Sequence, residues 1–280
     1  MKTFPKPETL RNLGNGLILR RSAPADSSAL SEFNARIHGS PQNPDPRIAA
    51  WTADLLRGDH PTMGADDFTI VEDTTTGKIV SSLNLIPQVW RYEGIPFGVG
   101  RPELVGTDPA YRKQGLVRAQ FEVIHEWSQQ RGHLMQAITG IPYYYRQFGY
   151  AMAVNLGGGR QGYPNNLPKL AEGASEPFLF RPATLDDIPF MAAVYEAGVQ
   201  RYPLSVEWSP EIWRYEVFGK SKENVNRREF RIIQTPQAEP VGWLLLPSEL
   251  WGKMMAAGGY ELKPGVSWAE VTPSVVRYLM

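Results

Sequence analysis

The sequence predicts an α/β protein, a mixed central sheet flanked by helices, and three observations carry that reading. Residues Val105 to Arg118 join a strand to a basic, glycine-containing turn that opens an amphipathic helix. Segments before it alternate with the period of two that marks strands. The order strand, helix, strand, turn, strand then recurs about 160 residues later. At 280 residues the chain has the length of about two domains. Its 29 basic and 29 acidic side chains cancel, so no global field recommends nucleic acid or an anionic membrane as partner. Cysteine is absent, which excludes disulfides, thiolate metal sites and a cysteine nucleophile together. Met1 to Pro7 lacks an apolar signal core, and no run reaches the ~20 apolar residues of a membrane span, so a cytoplasmic protein is expected. The four histidines, His38, His60, His125 and His133, are not at metal-ligand spacing, and no metal is expected.

Taken in order, Leu17 to Arg21 is a strand leading through Ser22 to Asp26 into a helix with Leu30, Phe33 and Ile37 on its apolar face. Phe68 to Val71 and Ile79 to Ile86 are strands joined by Thr74 to Lys78, and Pro87 limits the second to an edge or a bulge. A turn at Tyr92 to Gly94 leads into Phe97 to Thr107. There strict alternation puts Arg101, Glu103, Val105 and Thr107 on one face and Gly100, Leu104 and Gly106 on the other. The helix after Gly115 carries Leu116, Val117, Phe121, Val123, Ile124 and Trp127 on a broad apolar arc opposite Arg118, Glu122, His125 and Gln129, and Gly132 ends it. Leu134 to Ile138 follows as a strand, parallel by the crossover rule. Tyr143 begins a short helix or turn before a strand from Tyr150 to Leu156.

The repeat pairs Arg20 with Arg181, Asp26 with Asp187 and Leu30 with Met191 at an offset of 161, and Phe68 to Val71 with Phe230 to Ile233 at 162. Further on, Glu103-Leu104 aligns with Glu261-Leu262 and Leu116 to Arg118 with Val275 to Arg277, which sets Val271-Thr272-Pro273-Ser274 against Arg112 to Gly115. On this alignment the second copy has neither the cations nor the glycine, and it ends one turn into the equivalent helix. The breaker-rich stretch from Gly157 to Pro168 reads as a loop. The expected organisation is residues 1–160, a linker over 161–177, and an incomplete second copy over 178–280.

A helix N-terminus offers unpaired N–H groups and the positive end of its dipole, so Arg112-Lys113-Gln114-Gly115-Leu116-Val117 is suited to an anion such as a pyrophosphate. Together with Tyr144-Tyr145-Arg146-Gln147-Phe148-Gly149-Tyr150, this loop resembles the GNAT acyltransferase superfamily, whose members carry an [RQ]-x-x-G-x-[GA] loop followed by an F-Y-x-x-[FL]-G-[FY] segment. Val117 and Thr107 depart from that pattern. The resemblance covers about residues 16 to 157 and is of the tandem-GNAT type. It implies a GNAT fold followed by a degenerate partial copy, acetyl-CoA as co-substrate, and direct transfer of the acyl group to an amine in a ternary complex. Val105, Gly106 and Thr107 would meet the pantetheine arm through their backbone, and Arg112 to Val117 the pyrophosphate. Tyr145 matches the family tyrosine that protonates the departing thiolate, and Glu103 occupies a position where several members place a base, although an ion pair with Arg101 or Arg91 is the plainer role. Tyr143 and Tyr144 read as packing residues. Trp51, Trp90 and Phe97 line an acceptor pocket or belong to the core; Asp66, Asp67 and Glu93 attract a cationic amine or are simply solvated. The expected partner is a small-molecule or peptide amine, with no nucleic acid, no membrane, and self-association into a homo-oligomer left open. The alternative is a non-catalytic acyl-CoA-binding or regulatory module.

Overall fold

A computed structural model describes residues 8–141, 143–155, 162–249 and 255–280, and the expected linker residues Gly157 to Gln161 lie outside them, as does Leu156. The chain divides into two compact units, residues 1–156 with 220–225, and residues 157–219 with 226–280. No described helix is long and apolar enough to cross a membrane.

The first unit opens with a hairpin that the sequence reading did not anticipate, β1 (Thr9–Gly14) and β2 (Leu17–Arg21). Asn15 and Gly16 turn it at φ 51° and 77°, the left-handed pair that an Asn-Gly two-residue loop favours, so the signal was there to be read. Asp26 accepts from the Ala23 N–H at 2.8 Å and grips both terminal nitrogens of Arg20 at 2.8 Å, fixing the entry to α1 (Ser27–His38). The helix α2 (Pro46–Leu56), also not anticipated, starts at an Asp45 cap with proline in its first turn. Strands β3 (Phe68–Asp73), β4 (Lys78–Tyr92) and β5 (Ile95–Thr107) follow as a meander. After them come α3 (Leu116–Gln130) and β6 (Met135–Gln136). Within this unit the strand order is β1-β2-β3-β4-β5-β6, antiparallel except for β5 and β6, which pair in parallel as the crossover rule required. On one face α1 and α2 cover Phe68, Ile70, Ile86 and Leu104. On the other α3 covers Leu19, Val71, Val80, Leu83 and Leu85 with Phe121, Ile124 and Trp127.

Four expectations are corrected here. β4 continues through Pro87 to Tyr92. Strand β3 is paired only as far as Phe68 opposite Asn84, so the donor missing at Pro87 deprives β3 of no bond. The strand expected over Leu134 to Ile138 shrinks to two residues, and none forms over 150–155, where residues 151–155 are all exposed and so have no buried face to hold a strand. Strict alternation along β5 also fails. Ser82 pairs with Gly106 and Asn84 with Glu103, leaving Leu104 and Val105 both opposite Leu83. This is a bulge, and Leu104 adopts φ +53° within it. Arg101 and Glu103 therefore share a face with Leu104 and Gly106 toward α1, while Val105 packs into the α3 core.

The second unit contains β7 (Leu179–Pro182), α4 (Ile188–Val199), β8 (Leu204–Val206), α5 (Pro210–Arg214), β9 (Arg228–Gln234), β10 (Pro240–Pro247), β11 (Gly259–Leu262) and α6 (Trp268–Tyr278). Four of its strands form an antiparallel sheet in the order β11-β10-β9-β7. Its early features repeat the first unit's: Asp187 grips Arg181 at 2.7 Å through two nitrogens and accepts from the Thr184 N–H. Arg181 stands opposite Ile232 as Arg20 stands opposite Ile70. The later alignment is overturned. Asn84 faces Glu103, and its counterpart at the offset of 161, Leu245, faces Gly259, so Glu261 does not correspond to Glu103, and β11 runs against β10 without a bulge. Val271 to Ser274 lie inside α6. The loop entering α6 is Lys263 to Ser267, in which Lys263 is paired with Glu239 at 2.5 Å and Gly265 has φ +86°.

Candidate functional site

The site forms where β5 and β6 part. Leu134 N–H donates to the Gly98 carbonyl and Ala137 N–H to the Gly100 carbonyl, and beyond that pair no backbone bond among the described residues links β5 to the chain after β6. The edge of β5 from Arg101 to Thr107, bulge included, is thus open along a cleft. Gly106 is a glycine for a reason: a Cβ there would stand 2.6 Å from Ile37 of α1. The Gly106 carbonyl accepts from Ser81 Oγ at 2.9 Å, and the same hydroxyl reaches Thr107 Oγ1 at 2.8 Å and buried Gln120 at 2.6 Å. This network locks the strand end against α3.

From Thr107 the chain turns through Asp108, which caps residues 109–111 by accepting from the Ala110 N–H at 3.0 Å and pairs with Arg36 at 2.8 Å. Burial opposes the Asp108 charge, but these two donors outweigh it and hold its pKa low. Tyr111 donates to Asp73 at 2.8 Å and pins the loop to β3. Lys113 and Gly115 then adopt φ 64° and 76°. The N–H groups of Lys113, Gln114, Gly115, Leu116, Val117 and Arg118 have no acceptor among the described residues. Six consecutive unpaired donors at the positive end of a fifteen-residue helix make an anion cradle. A Cβ at Gly115 would touch nothing within 4 Å, so the space beside that residue is open. Leu116 is buried and Val117 packs against the α3 core. Both side chains face inward, the departure at Val117 included, and the backbone is what they leave presented. Arg112, Lys113 and Gln114 are exposed around the rim.

Tyr145 opens the short turn Tyr145–Phe148 across the cleft. Its ring meets Phe121 at 5.9 Å, Tyr144 at 5.0 Å and Tyr150 at 6.2 Å, all edge-on. Arg118 ties the turn to α3 through the Gln147 carbonyl and side chain at 3.3 and 3.2 Å. Burial, with Tyr144 and Glu103 nearby, pushes the Tyr145 phenol up to about 12, and its hydroxyl has no hydrogen-bond partner among the described residues. By contrast Tyr150 donates to Gln136 at 2.6 Å. Tyr143 is 78% exposed and is not part of the cluster around Phe121. Glu103 is mostly buried and pairs with Arg101 at 2.5 Å. Burial raises its pKa against the opposing pull of Arg101. The ion pair and a carboxylate with raised proton affinity thus coexist.

The remaining candidates are dispersed. Trp51 packs on the α1–α2 core, Trp90 and Phe97 are cross-strand partners on the β4–β5 hairpin, Asp66 pairs with Arg21, Asp67 with Arg131, and Glu93 sits at the hairpin turn. Sequence reading missed Ser31 and Asn84, whose buried positions bear on Glu103 only through the register of the bulge.

The site thus combines the open edge of β5, a run of unpaired N–H groups at the start of α3 and an unpaired phenol on the turn Tyr145–Phe148. Residues 24–153 match the family described as acetyltransferase (GNAT) domain. Among curated proteins none matches. The chain is similar in structure to a conserved protein of Enterococcus faecalis V583 described as a probable N-acyltransferase. The TM-score is 0.64 at 12% identity, over 94% of this chain and 62% of that one. It is also similar to Saccharomyces cerevisiae N-myristoyltransferase with bound myristoyl-CoA. One such structure gives 0.59 at 12% identity, over 86% of this chain and 62% of the other. A second gives 0.61 at 13%, over 98% and 69%. At these identities the likeness is one of fold, and the chain spans 62% of the length of the first two structures.

Proposed function

We propose that the first unit transfers an acyl group, acetyl in the simplest case, from acyl-CoA to an amine of a small molecule or peptide by direct attack. The observation that carries the reading is the run of six unpaired N–H groups from Lys113 to Arg118 beside the open edge of β5. That cradle fits a pyrophosphate, with Arg112 and Lys113 as cations at its rim. Val105 to Thr107 would hold the pantetheine arm by their backbone. Acyl-CoA supplies an activated thioester. The chain's residues orient the amine, take its proton and return one to sulfur. Glu103 is the proposed base: a buried carboxylate with raised pKa is better matched to an ammonium proton than an exposed one. Tyr145 is the proposed acid, protonated at any ordinary pH. The second unit is read as a degenerate duplicate of the first, on the support of the Arg181–Asp187 clamp and the shared strand register. It lacks the bulge and the carboxylate at the position of Glu103.

The test is thiol release from acetyl-CoA against a panel of amines, with Gly115→Glu as control. We expect amine-dependent release in the native protein. In the variant a carboxylate projects into the cradle, and both release and acetyl-CoA binding by calorimetry should disappear. Unchanged affinity in Gly115→Glu would remove the cradle from the mechanism.

A further inference from the structure

A row of polar side chains between the sheet and α1 has no part in the proposed reaction. Helical spacing puts Ser31, Asn34 and His38 on one stripe of α1, and Ser82 and Asn84 lie on the face of β4 turned toward it. The middle of the row is satisfied: Asn34 accepts from Ser82 Oγ at 3.0 Å and donates to Thr52 Oγ1 at 3.2 Å. Its neighbours are not. Ser31 Oγ and both polar atoms of the Asn84 amide are buried with no hydrogen-bond partner among the described residues, and Asn84 is 0% exposed. An amide buried without partners is costly. Such groups are as a rule satisfied by ordered water.

The direction of α1 places these orphans together. Arg36, near its C-terminal end, pairs with Asp108, whose N–H donates to the Val80 carbonyl. Asn34 lies over Ser82, so the preceding turn, with Ser31, lies over Asn84. Strand register then sets Glu103 directly opposite Asn84, and facing residues of an antiparallel pair project to the same side. Three orphaned polar atoms and one buried carboxylate converge on one spot.

We propose that Ser31 and Asn84 hold a buried water against the Glu103 carboxylate, making Asn84 a positioning residue that sets how readily Glu103 ionises. The inference rests on the reading of Glu103 as the base. The water accepts from Asn84 Nδ2 and donates to the carboxylate, which favours the charged form and offsets part of the burial penalty. The other ionisable groups around Glu103 are Arg101 on its own strand, Tyr145 from the turn across the cleft, and His38 from α1, whose buried ring is held toward its neutral form. On β4 the facing positions Ser82, Asn84 and Ile86 carry no charge.

The experiment is a ¹³C NMR titration of the Glu103 carboxyl in the full chain without acyl-CoA, its signal assigned by loss in Glu103→Gln. Asn84→Leu should raise the Glu103 midpoint by about one pH unit, the effect of losing one good donor. Ser31→Ala should move it the same way by less, and acetyl-CoA affinity should hold in both. Should Asn84→Leu fail to fold, Ser31→Ala, which removes only a hydroxyl, decides the matter. A Glu103 midpoint unmoved by the substitutions overturns the water site. The reading of Glu103 as base fails by a different result, full single-turnover rate in Glu103→Gln, and the titration still decides whether the water is there.

Discussion

At the scale of residues, two tyrosines a few positions apart have opposite fates: Tyr150 spends its hydroxyl on Gln136, while Tyr145 keeps its own free at the cleft. Replacing Tyr145 by Phe preserves the ring contacts and removes only the proton. We expect single-turnover rate to fall by roughly 10²-fold, in the range for loss of a general acid, with little change in melting temperature. Tyr143→Phe and Tyr144→Phe should leave the chemical step nearly intact, and a loss in either with Tyr145→Phe unaffected would shift the assignment. The acid limb of kcat/KM should lie above the ordinary glutamate range, since Glu103 must be ionised to act and its pKa is raised, and Glu103→Gln should abolish that limb. A separate pH effect concerns stability. His60, depressed to about 4 by burial with Lys220 adding to it, contributes stability that is fully present above its unfolded value near 6.5 and is lost as pH falls toward 4. At most about 3 kcal/mol is at stake, and urea unfolding at pH 7 and 4.5 should show part of it vanish, less so in His60→Gln. Tyr145 and Glu103 could be singled out in the sequence because the motifs around them are local. Asn84 could not, since its relation to Glu103 exists only through strand register.

At the scale of elements, the bulge in β5 decides which way the site faces. Leu104 is 3% exposed, so Leu104→Ala should cost about 2–4 kcal/mol from lost burial. Its φ of +53° suits glycine, so Leu104→Gly should be no less stable than Leu104→Ala, reversing the usual order in a strand. Denaturant unfolding of the pair checks this, and a clear advantage for alanine would mean that the left-handed backbone is not kept. Period-two reasoning found β5 but misplaced Glu103 and Arg101, because one extra residue flips every side chain on one side of it. Helix α3 was legible from its apolar arc and from Gly132, while the hairpin before β2 was missed despite its Asn-Gly turn.

At the scale of the whole molecule, the Arg20–Asp26 clamp and the register of β2 on β3 have counterparts in the Arg181–Asp187 clamp and the register of β7 on β9, whereas the later alignment by residue type drifts out of register with the strands. The functional consequence is an expected stoichiometry of one acetyl-CoA per chain. Calorimetry should give a single site, abolished by Gly115→Glu and untouched by Gly265→Glu, although Gly265 also precedes a helix with positive φ. Two sites, or loss in the second variant, would make the second unit a binder as well. One more feature bears on how the chain can be divided. Residues Lys220–Val225 pack within the first unit although they lie far beyond it in sequence. There the N–H and hydroxyl of Ser221 donate to Asp54 at 2.9 and 3.0 Å, and the Asn224 amide donates at 2.6 Å. Asp54 is 2% exposed. A polypeptide ending at residue 156 would strand that carboxylate with Arg57 alone, at roughly 1–3 kcal/mol for each donor lost. Limited proteolysis or gene truncation that respects linear order would thus release a weakened first unit, and the excised unit should regain stability when a peptide carrying 220–225 is supplied in trans.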